Sequence, residues 1–354
     1  MKSVLDRILE RPAMPSAVAR RCLLAALGLL LPQRMDAGAA ANPPIDLTAD
    51  KREWGVSLRW ENDAFGKTDR WYTDGVAIGL SHTGPSWLDP VINWLPWGEG
   101  RHTVGYEVAQ AMFTPSNKDL NPPDPNDRPY AGILAVSLTA YVDRTNSFHA
   151  LKFTTGVVGP ASLAEQTQDT VHSLIGDGKP AGWDHQLKNE PILDLAYEYR
   201  YKFHLLGQHD EWSVETLPVA GGWLGNMLTQ GQIGGLLRTG YNLPDDFGPS
   251  LVRGMGFMPP PRHDALRPSR SDWGFSVYGG AFANFVLRDI TLDGNTFADS
   301  PSVDKKFFVP AAGVGASVGN RHIQASFSFV LWGEEFHGQA QDSKFGSVGI
   351  SYFF

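Results

Sequence analysis

The sequence predicts an all-β protein: a transmembrane antiparallel β-barrel of about 12 strands, with a short helix in an extracellular loop. Three observations carry this. After residue 50, apolar residues recur at every second position over stretches of roughly ten, separated by connections rich in Gly, Pro, Asp and Asn. Only 19% of the 354 residues are charged, beside 11 Trp, 10 Tyr and 19 Phe, whereas a soluble domain carries about 25% charged residues. The chain also closes on an alternating stretch in which Val348, Ile350, Tyr352 and Phe354 interleave with Ser347, Gly349 and Ser351.

The N-terminus reads as an export signal. Arg20 and Arg21 precede the apolar stretch 22–31, and Ala37, Gly38, Ala39, Ala40 and Ala41 follow it. Positive region, apolar region and small-residue cleavage site make a secretory signal peptide. Residues 1–41 are therefore expected to be removed, 42–52 to be a lead-in, and 53–354 to form the barrel. Removal takes away six Lys/Arg and three Asp/Glu, so the net charge moves from −8 to −11, and Cys22, the single cysteine, goes with it. A thiol-free chain suits an oxidising compartment. The acidic balance excludes nucleic acid, whose phosphates need clustered cations. One cysteine excludes a disulfide framework. No apolar run of about 18 residues follows the start, which excludes helical spans.

Strands are expected to begin near residues 53, 72, 102, 131, 149, 191, 211, 232, 272, 307, 321 and 345. In the first, Trp54, Val56, Leu58 and Trp60 alternate with Gly55, Ser57 and Arg59. In the second, Tyr72, Val76, Ile78 and Leu80 fall on the lipid side, with Thr73, Gly75, Ala77 and Gly79 toward the lumen. In the sixth, Leu193, Leu195, Tyr197, Tyr199, Tyr201 and Phe203 oppose Asp194, Glu198, Arg200 and Lys202. A soluble sandwich would hide its apolar face under a second sheet. Here that face carries Tyr and Trp near its ends and the other face is small or charged, the pattern of a lipid-facing wall around a polar lumen. Open sheet edges are too costly in lipid, so the strands must close. Lumen-side glycines, Gly75, Gly79, Gly105, Gly274, Gly313 and Gly315, suit tight curvature. A final strand ending on Phe354 resembles the signal read by the barrel assembly machinery.

One stretch, 161–183, breaks the alternation. Ser162 and Glu165 form a capping-box signal and Gly176 a C-cap, predicting a helix over Leu163–Ile175. Long loops with their own structure are often functional, and in these barrels lie outside the cell. Glu165, Gln168, Asp169 and His172 share one side of the helix, and Leu163, Val171, Leu174 and Ile175 offer apolar surface for docking. A lone His on such a helix is more often structural or merely solvated than catalytic, and it is the polar company on the same side that raises it.

Two rim clusters accompany it. Asn62 and Asp63 end the first strand and Thr73 opens the second. Their carboxylate, amide and hydroxyl oxygens are hard ligands of the kind Ca²⁺ uses, although from composition alone turn chemistry, which favours Asn and Asp, is the more frequent reason for such residues in a hairpin. Asp63 and Thr73 share the lumen parity while Asn62 does not, so converging all three requires a bulge. Asp127 and Arg128 open the fourth strand as a rim turn or part of a lumen network. No G-x-S-x-G elbow, H-E-x-x-H, P-loop or Rossmann fingerprint is present.

With these residues in hand, the sequence resembles the outer-membrane lipid A 3′-O-deacylase family. The matching pieces are Glu61-Asn62-Asp63, Asp69-Arg70-x-Tyr72-Thr73-x-Gly75, Gln110-x-Met112-Phe113-Thr114-Pro115 and Asp127-Arg128-Pro129-Tyr130-Ala131-Gly132. They continue with 156–160 running into Glu165, Gln168 and His172, then Gly182-Trp183-x-x-Gln186-Leu187-x-Asn189-Glu190, 292–296 and the terminal Tyr352-Phe353-Phe354. The resemblance implies a twelve-stranded barrel in the outer membrane of a Gram-negative cell, with lipid A of lipopolysaccharide as substrate, outer-membrane lipids around it and Ca²⁺ as cofactor. It implies chemistry similar to phospholipase A2, with His172 as the base and Asn62, Thr73 and Asp63 around the metal. Lys118 corresponds to a lysine that meets the lipid phosphate. Relatives carry an acid a few positions after the histidine, where an ungapped match places Gly178; Asp177 is the substitute metal ligand. Glu165, Gln168, Asp127 and Arg128 are supporting residues. Two rival readings stay open: a channel with the insertion as lid, and a lipid A-binding barrel without catalysis.

Overall fold

In the computed structural model, residues 52–66, 68, 70–176, 178–207, 211–250, 256–258 and 273–354 are described. The expected signal peptide and Asp177 lie outside them. Twelve strands form the wall: β1 Trp54–Asn62, β2 Trp71–Thr83, β3 Arg101–Thr114, β4 Ala131–Asp143, β5 Ser147–Val158, β6 Glu190–Tyr201 resuming as Phe203–Leu206, β7 Trp212–Gly225, β8 Leu228–Tyr241, β9 Gly274–Asp289, β10 Phe308–Gly319, β11 Ile323–Trp332 and β12 Ser343–Phe353. The two pieces of β6 keep one register against β7, Arg200 opposite Val219 and Phe203 opposite Thr216, so they are one strand. Each strand pairs antiparallel with its sequence neighbour, and β1 pairs with β12, Val56 opposite Tyr352, which closes the barrel. Among the described residues three α-helices decorate it: α1 Asp89–Trp94, α2 Ala164–Ile175 and α3 Ile290–Asp293.

Period two sorts the wall as expected. On β1, Val56, Leu58 and Trp60 are exposed outward while Ser57, Arg59 and Glu61 are buried inward. The second strand departs from simple parity. A bulge between Tyr72 and Asp74 shifts the register against β3, and Tyr72, expected on the lipid side, turns into the lumen to donate its hydroxyl to Glu61 Oε2 at 2.5 Å. One extra residue flips every side chain beyond it.

The lumen is a charged core. Lys152 pairs with Glu107 at 2.6 Å, Arg238 with Glu215 at 2.6 Å and Arg200 with Glu198 at 2.8 Å. Buried charges require such partners, since an unpaired one forfeits its hydration. The inward glycines make room as much as curvature: a Cβ on Gly105 would lie 3.0 Å from the Tyr141 ring, and one on Gly315 2.5 Å from that of Tyr278.

Long connections are not confined to the end away from the termini. The β8–β9 connection leaves from the terminal end and its described residues fold into the lumen, burying Phe247, Phe257 and Met258. Arg200 donates to the Phe247 carbonyl at 2.7 Å, Lys152 to that of Gly256 at 3.1 Å and Tyr141 to that of Met258 at 2.9 Å. A cleft remains beside it, lined by Ser317, Ser326 and Ser351. Planar bilayers holding the purified barrel are expected to show no steady porin-like conductance; regular single-channel steps would show an open lumen.

Candidate active site

The site is built on the outside of the wall, at the end away from the chain termini. Outward residues of β3 run from exposed Val108 to covered Met112 and Thr114. What covers them is the insertion. Gln110 donates to the Ser162 carbonyl at 2.7 Å, and Met112, Tyr130, Ala164 and Trp183 form a small buried cluster. Gly132 permits the close approach of α2: a Cβ there would fall 2.2 Å from Ser162 Oγ and 2.3 Å from Ala164 Cβ. Gly132→Val is therefore expected to lift the insertion while leaving the barrel folded. Limited proteolysis checks it, with faster cleavage within 160–183 against unchanged heat-shifted mobility; unchanged protection would contradict the contact.

The helix spans Ala164–Ile175, one residue shorter than the predicted Leu163–Ile175. Its N-terminus is not a capping box. Leu163 stands at the cap with φ 58°, no side chain caps the helix, and a 3-10 turn over Pro160–Ser162 precedes it. Gly176 does close the helix in the left-handed conformation, as expected. The docking face is also the reverse of the amphipathic expectation. Leu163, Val171 and Leu174 are 54%, 42% and 80% exposed, whereas Ala164, Gln168 and His172 are buried as one i, i+4, i+8 stripe. The Ile175 side chain lies outside the description. The polar side chains of this stripe face the barrel wall and the apolar ones point outward.

On the buried stripe each polar group is aimed. Trp183 Nε1–H donates to Gln168 Oε1 at 2.7 Å, while Gln168 Nε2 is buried with no hydrogen-bond partner among the described residues. His172 Nδ1 lies 2.7 Å from the Gly178 carbonyl oxygen. A carbonyl can only accept, which assigns a proton to Nδ1, so that in the neutral ring the lone pair lies on Nε2. Glu165 is half-buried, and desolvation followed by repulsion from Asp184 and Asp169 raises its carboxyl. Lys179 pairs with Asp169 at 2.6 Å and ties the loop after the helix back to it.

At the rim, Asp63 sits in the 3-10 turn Asp63–Gly66 and is buried. It accepts the Arg70 N–H at 2.5 Å. Burial pushes its carboxyl up to about 8, countered by that bond and by the charge of Lys118. Asn62 is engaged at both ends, its oxygen accepting the Ala64 N–H at 2.7 Å and its amide donating to Asp74 at 2.9 Å. Thr73, the bulge residue, shares a hydrogen bond with Thr114 at 2.7 Å. The Lys118 carbonyl accepts from Ala181 N–H at 2.8 Å, so the lysine ties the rim loop to the segment after α2.

Asp127 and Arg128 divide the two roles left open for them. Asp127 holds the rim, accepting from Trp71 Nε1 at 3.2 Å, Ser116 N–H at 2.7 Å and the Ser116 hydroxyl. Arg128 points into the barrel mouth and pairs with Glu335 at 2.7 Å and Thr291 at 2.6 Å, away from the helix site. Thr114 and Trp183 were not singled out from sequence for a role, although the signal was there: Gln110 and Thr114 are polar on a lipid-side parity, which only a cover explains.

Among the described residues no three His, Cys, Asp or Glu side chains cluster as a metal site. The rim does offer hard oxygen donors, with a buried Asp63 carboxylate in no ion pair among the described residues and the hydroxyls of Thr73 and Thr114. That donor chemistry fits Ca²⁺, which completes its shell with carbonyls and water.

The fold is similar to that of LpxR from Salmonella typhimurium, at 20% identity and TM-score 0.66, covering 85% of this chain and 100% of that one. Weaker likenesses include the β domain of the Bordetella autotransporter BrkA (11% identity, 86% and 99% covered, TM-score 0.39) and the translocator domain of NalP from Neisseria meningitidis (11%, 95% and 94%, TM-score 0.36). A comparison with curated proteins gave no match. The family model described as "Outer membrane protein LpxR" matches residues 23–354, and by that match the chain belongs to the LpxR family of outer-membrane proteins.

Proposed function

We propose that the protein is a lipid A 3′-O-deacylase, an esterase that removes the 3′-linked acyloxyacyl chain from lipopolysaccharide in the outer leaflet. The observation that carries this reading is a histidine held on the outer wall with its Nδ1–H committed to the Gly178 carbonyl, at the level where a lipid headgroup would lie. Membership of the family supports the same reading.

In this mechanism the neutral imidazole of His172 takes a proton at Nε2 from water as the water oxygen attacks the ester carbonyl carbon. The carbonyl electron pair moves onto oxygen. Gln168 Nε2–H, buried beside the base, is a donor for that oxyanion or for the attacking water. Collapse breaks the bond to the sugar oxygen, which receives the proton from His172, so a carboxylic acid and a free sugar hydroxyl leave. Asn62 and Thr73 shape the rim, and the Lys118 ammonium suits a lipid phosphate. Ca²⁺ would be held by Asp63, with Asp177 as the second acid of the sequence-based assignment. When bound it supplies a Lewis acid that polarises the ester.

The test is mass spectrometry of lipid A from cells with and without the protein. Expression is expected to lower the lipid A mass by one 3′-linked acyloxyacyl unit, and a calcium chelator to suppress that loss in isolated membranes. An unchanged mass spectrum in cells with correctly inserted barrel would sink the proposal.

A further inference from the structure

The outer wall formed by β3, β4 and β5 is bracketed by a helix at each end, and only one of them belongs to the site above. At the terminal end, α1 lies flat on the barrel. Ile92 is fully buried with Ala140 and Val142, outward residues of β4, and Leu88 and Trp97 pack on the same spot. The Trp97 ring stacks on His149 of β5, 5.0 Å apart and 3° from parallel. The His102 ring spans Asp89 at 3.0 Å and the Gly98 carbonyl at 2.7 Å, pinning both ends of the segment to β3. Trp87 Nε1–H donates to the Tyr106 hydroxyl at 3.1 Å. The segment 86–97 carries one charge, Asp89, and the pinning uses it.

Docked in this way, α1 turns Trp87, Val91 and Trp94 away from the protein, at 64%, 53% and 83% exposure. The far helix α2 does the same with Leu163, Val171 and Leu174. Between them the wall is continuous apolar surface: Val108, Val136 and Phe153 are all exposed outward. From Gly132 under α2 to Ala140 under α1 is about eight residues of β4, or roughly 26 Å along the strand and about 20 Å once tilted, close to the roughly 25 Å apolar band of such barrels. Tryptophans at that depth fit the zone between headgroups and chains, where an apolar body and an N–H are both accommodated.

We infer that α1 and α2 are interfacial helices lying in the boundary zones of opposite leaflets, with lipid as the occupant of both outward faces. The argument rests on continuity with the lipid-facing belt, and on the barrel's place in the membrane rather than on catalysis. In a Cys22→Ser background, single nitroxide labels would be placed by Trp94→Cys, Leu174→Cys, Val136→Cys as belt control and Asn126→Cys, an exposed position of the polar β3–β4 loop, as water control. Folding of each is verified by heat-shifted mobility in phosphatidylcholine–phosphatidylglycerol vesicles. Labels at 94 and 174 are expected to collide with dissolved oxygen severalfold more, relative to a water-soluble nickel chelate, than the label at 126, approaching the value at 136. Nickel-chelate accessibility at 94 and 174 equal to that at 126 overturns the inference. So does dipolar broadening between labels at 94 on neighbouring molecules, which would make a second copy the occupant. A catalytically inactive barrel with lipid-like accessibility would leave this inference standing and remove only the enzymatic reading.

Discussion

His172→Ala is expected to leave the lipid A mass spectrum as it is in cells lacking the protein. A positioned general base contributes on the order of 10²–10⁴ in rate, so the variant falls by about 3–5 kcal/mol of transition-state stabilisation. Because the His172 Nδ1–H also fixes the Gly178 carbonyl, the alanine removes a structural bond together with the base. His172→Asn separates the two: its amide N–H reaches toward the same carbonyl and no basic nitrogen remains. Equal loss in Ala and Asn variants, at normal barrel abundance, supports the base. Activity retained by the Asn variant would confine His172 to a positioning role.

Arg128→Ala is expected to cost about 3–5 kcal/mol of barrel stability, the usual penalty for removing one partner of a buried ion pair. The guanidinium is fully buried over the Phe113 ring, 4.5 Å from its centroid, and bonded to Glu335 and Thr291, with Asp289 at 3.8 Å. Without it Glu335, itself buried, loses this ion pair. Unfolding midpoints in denaturant, read by the heat-shifted gel mobility, check this. The double variant Arg128→Met with Glu335→Leu is expected to recover most of the loss, since replacing both partners removes the unpaired charge. An unchanged midpoint for Arg128→Ala alone would show that the mouth is held by other contacts.

How far the sequence carries depends on what kind of rule is at work. Strand parity is a strong local signal because lipid and lumen demand opposite chemistry at adjacent residues; the expected starts at 53, 72, 102 and 131 lie within one residue of the observed strands. β8 begins at Leu228 instead of 232, because its first residues, Thr229, Gln230 and Gly231, lack an apolar alternation. Tyr72 was placed on the wrong side because a bulge at a threonine leaves no local mark. The helix was legible as a helix, down to its closing glycine. Its N-terminal geometry was not, since the φ of 58° at Leu163 is imposed by the turn that docks it. Its buried face runs against the amphipathic expectation because the polar groups of Gln168 and His172 find partners in the loop after the helix, while its apolar side chains are left outward. The charge of Lys118 acts on the Asp63 carboxyl, yet the bond from Trp183 that orients Gln168 joins residues 15 apart through a fold that periodicity does not encode.

Placing the site on the outside of the wall also sets how substrate arrives. A lumenal site would require a lipid to leave its leaflet and thread a mouth that Arg128 and Glu335 bridge. A site under α2 meets lipids by lateral diffusion in two dimensions, with the acyl chains still among their neighbours. Turnover would then follow the surface density of substrate in the leaflet, and diluting that leaflet with inert detergent or phospholipid would slow it at constant bulk concentration.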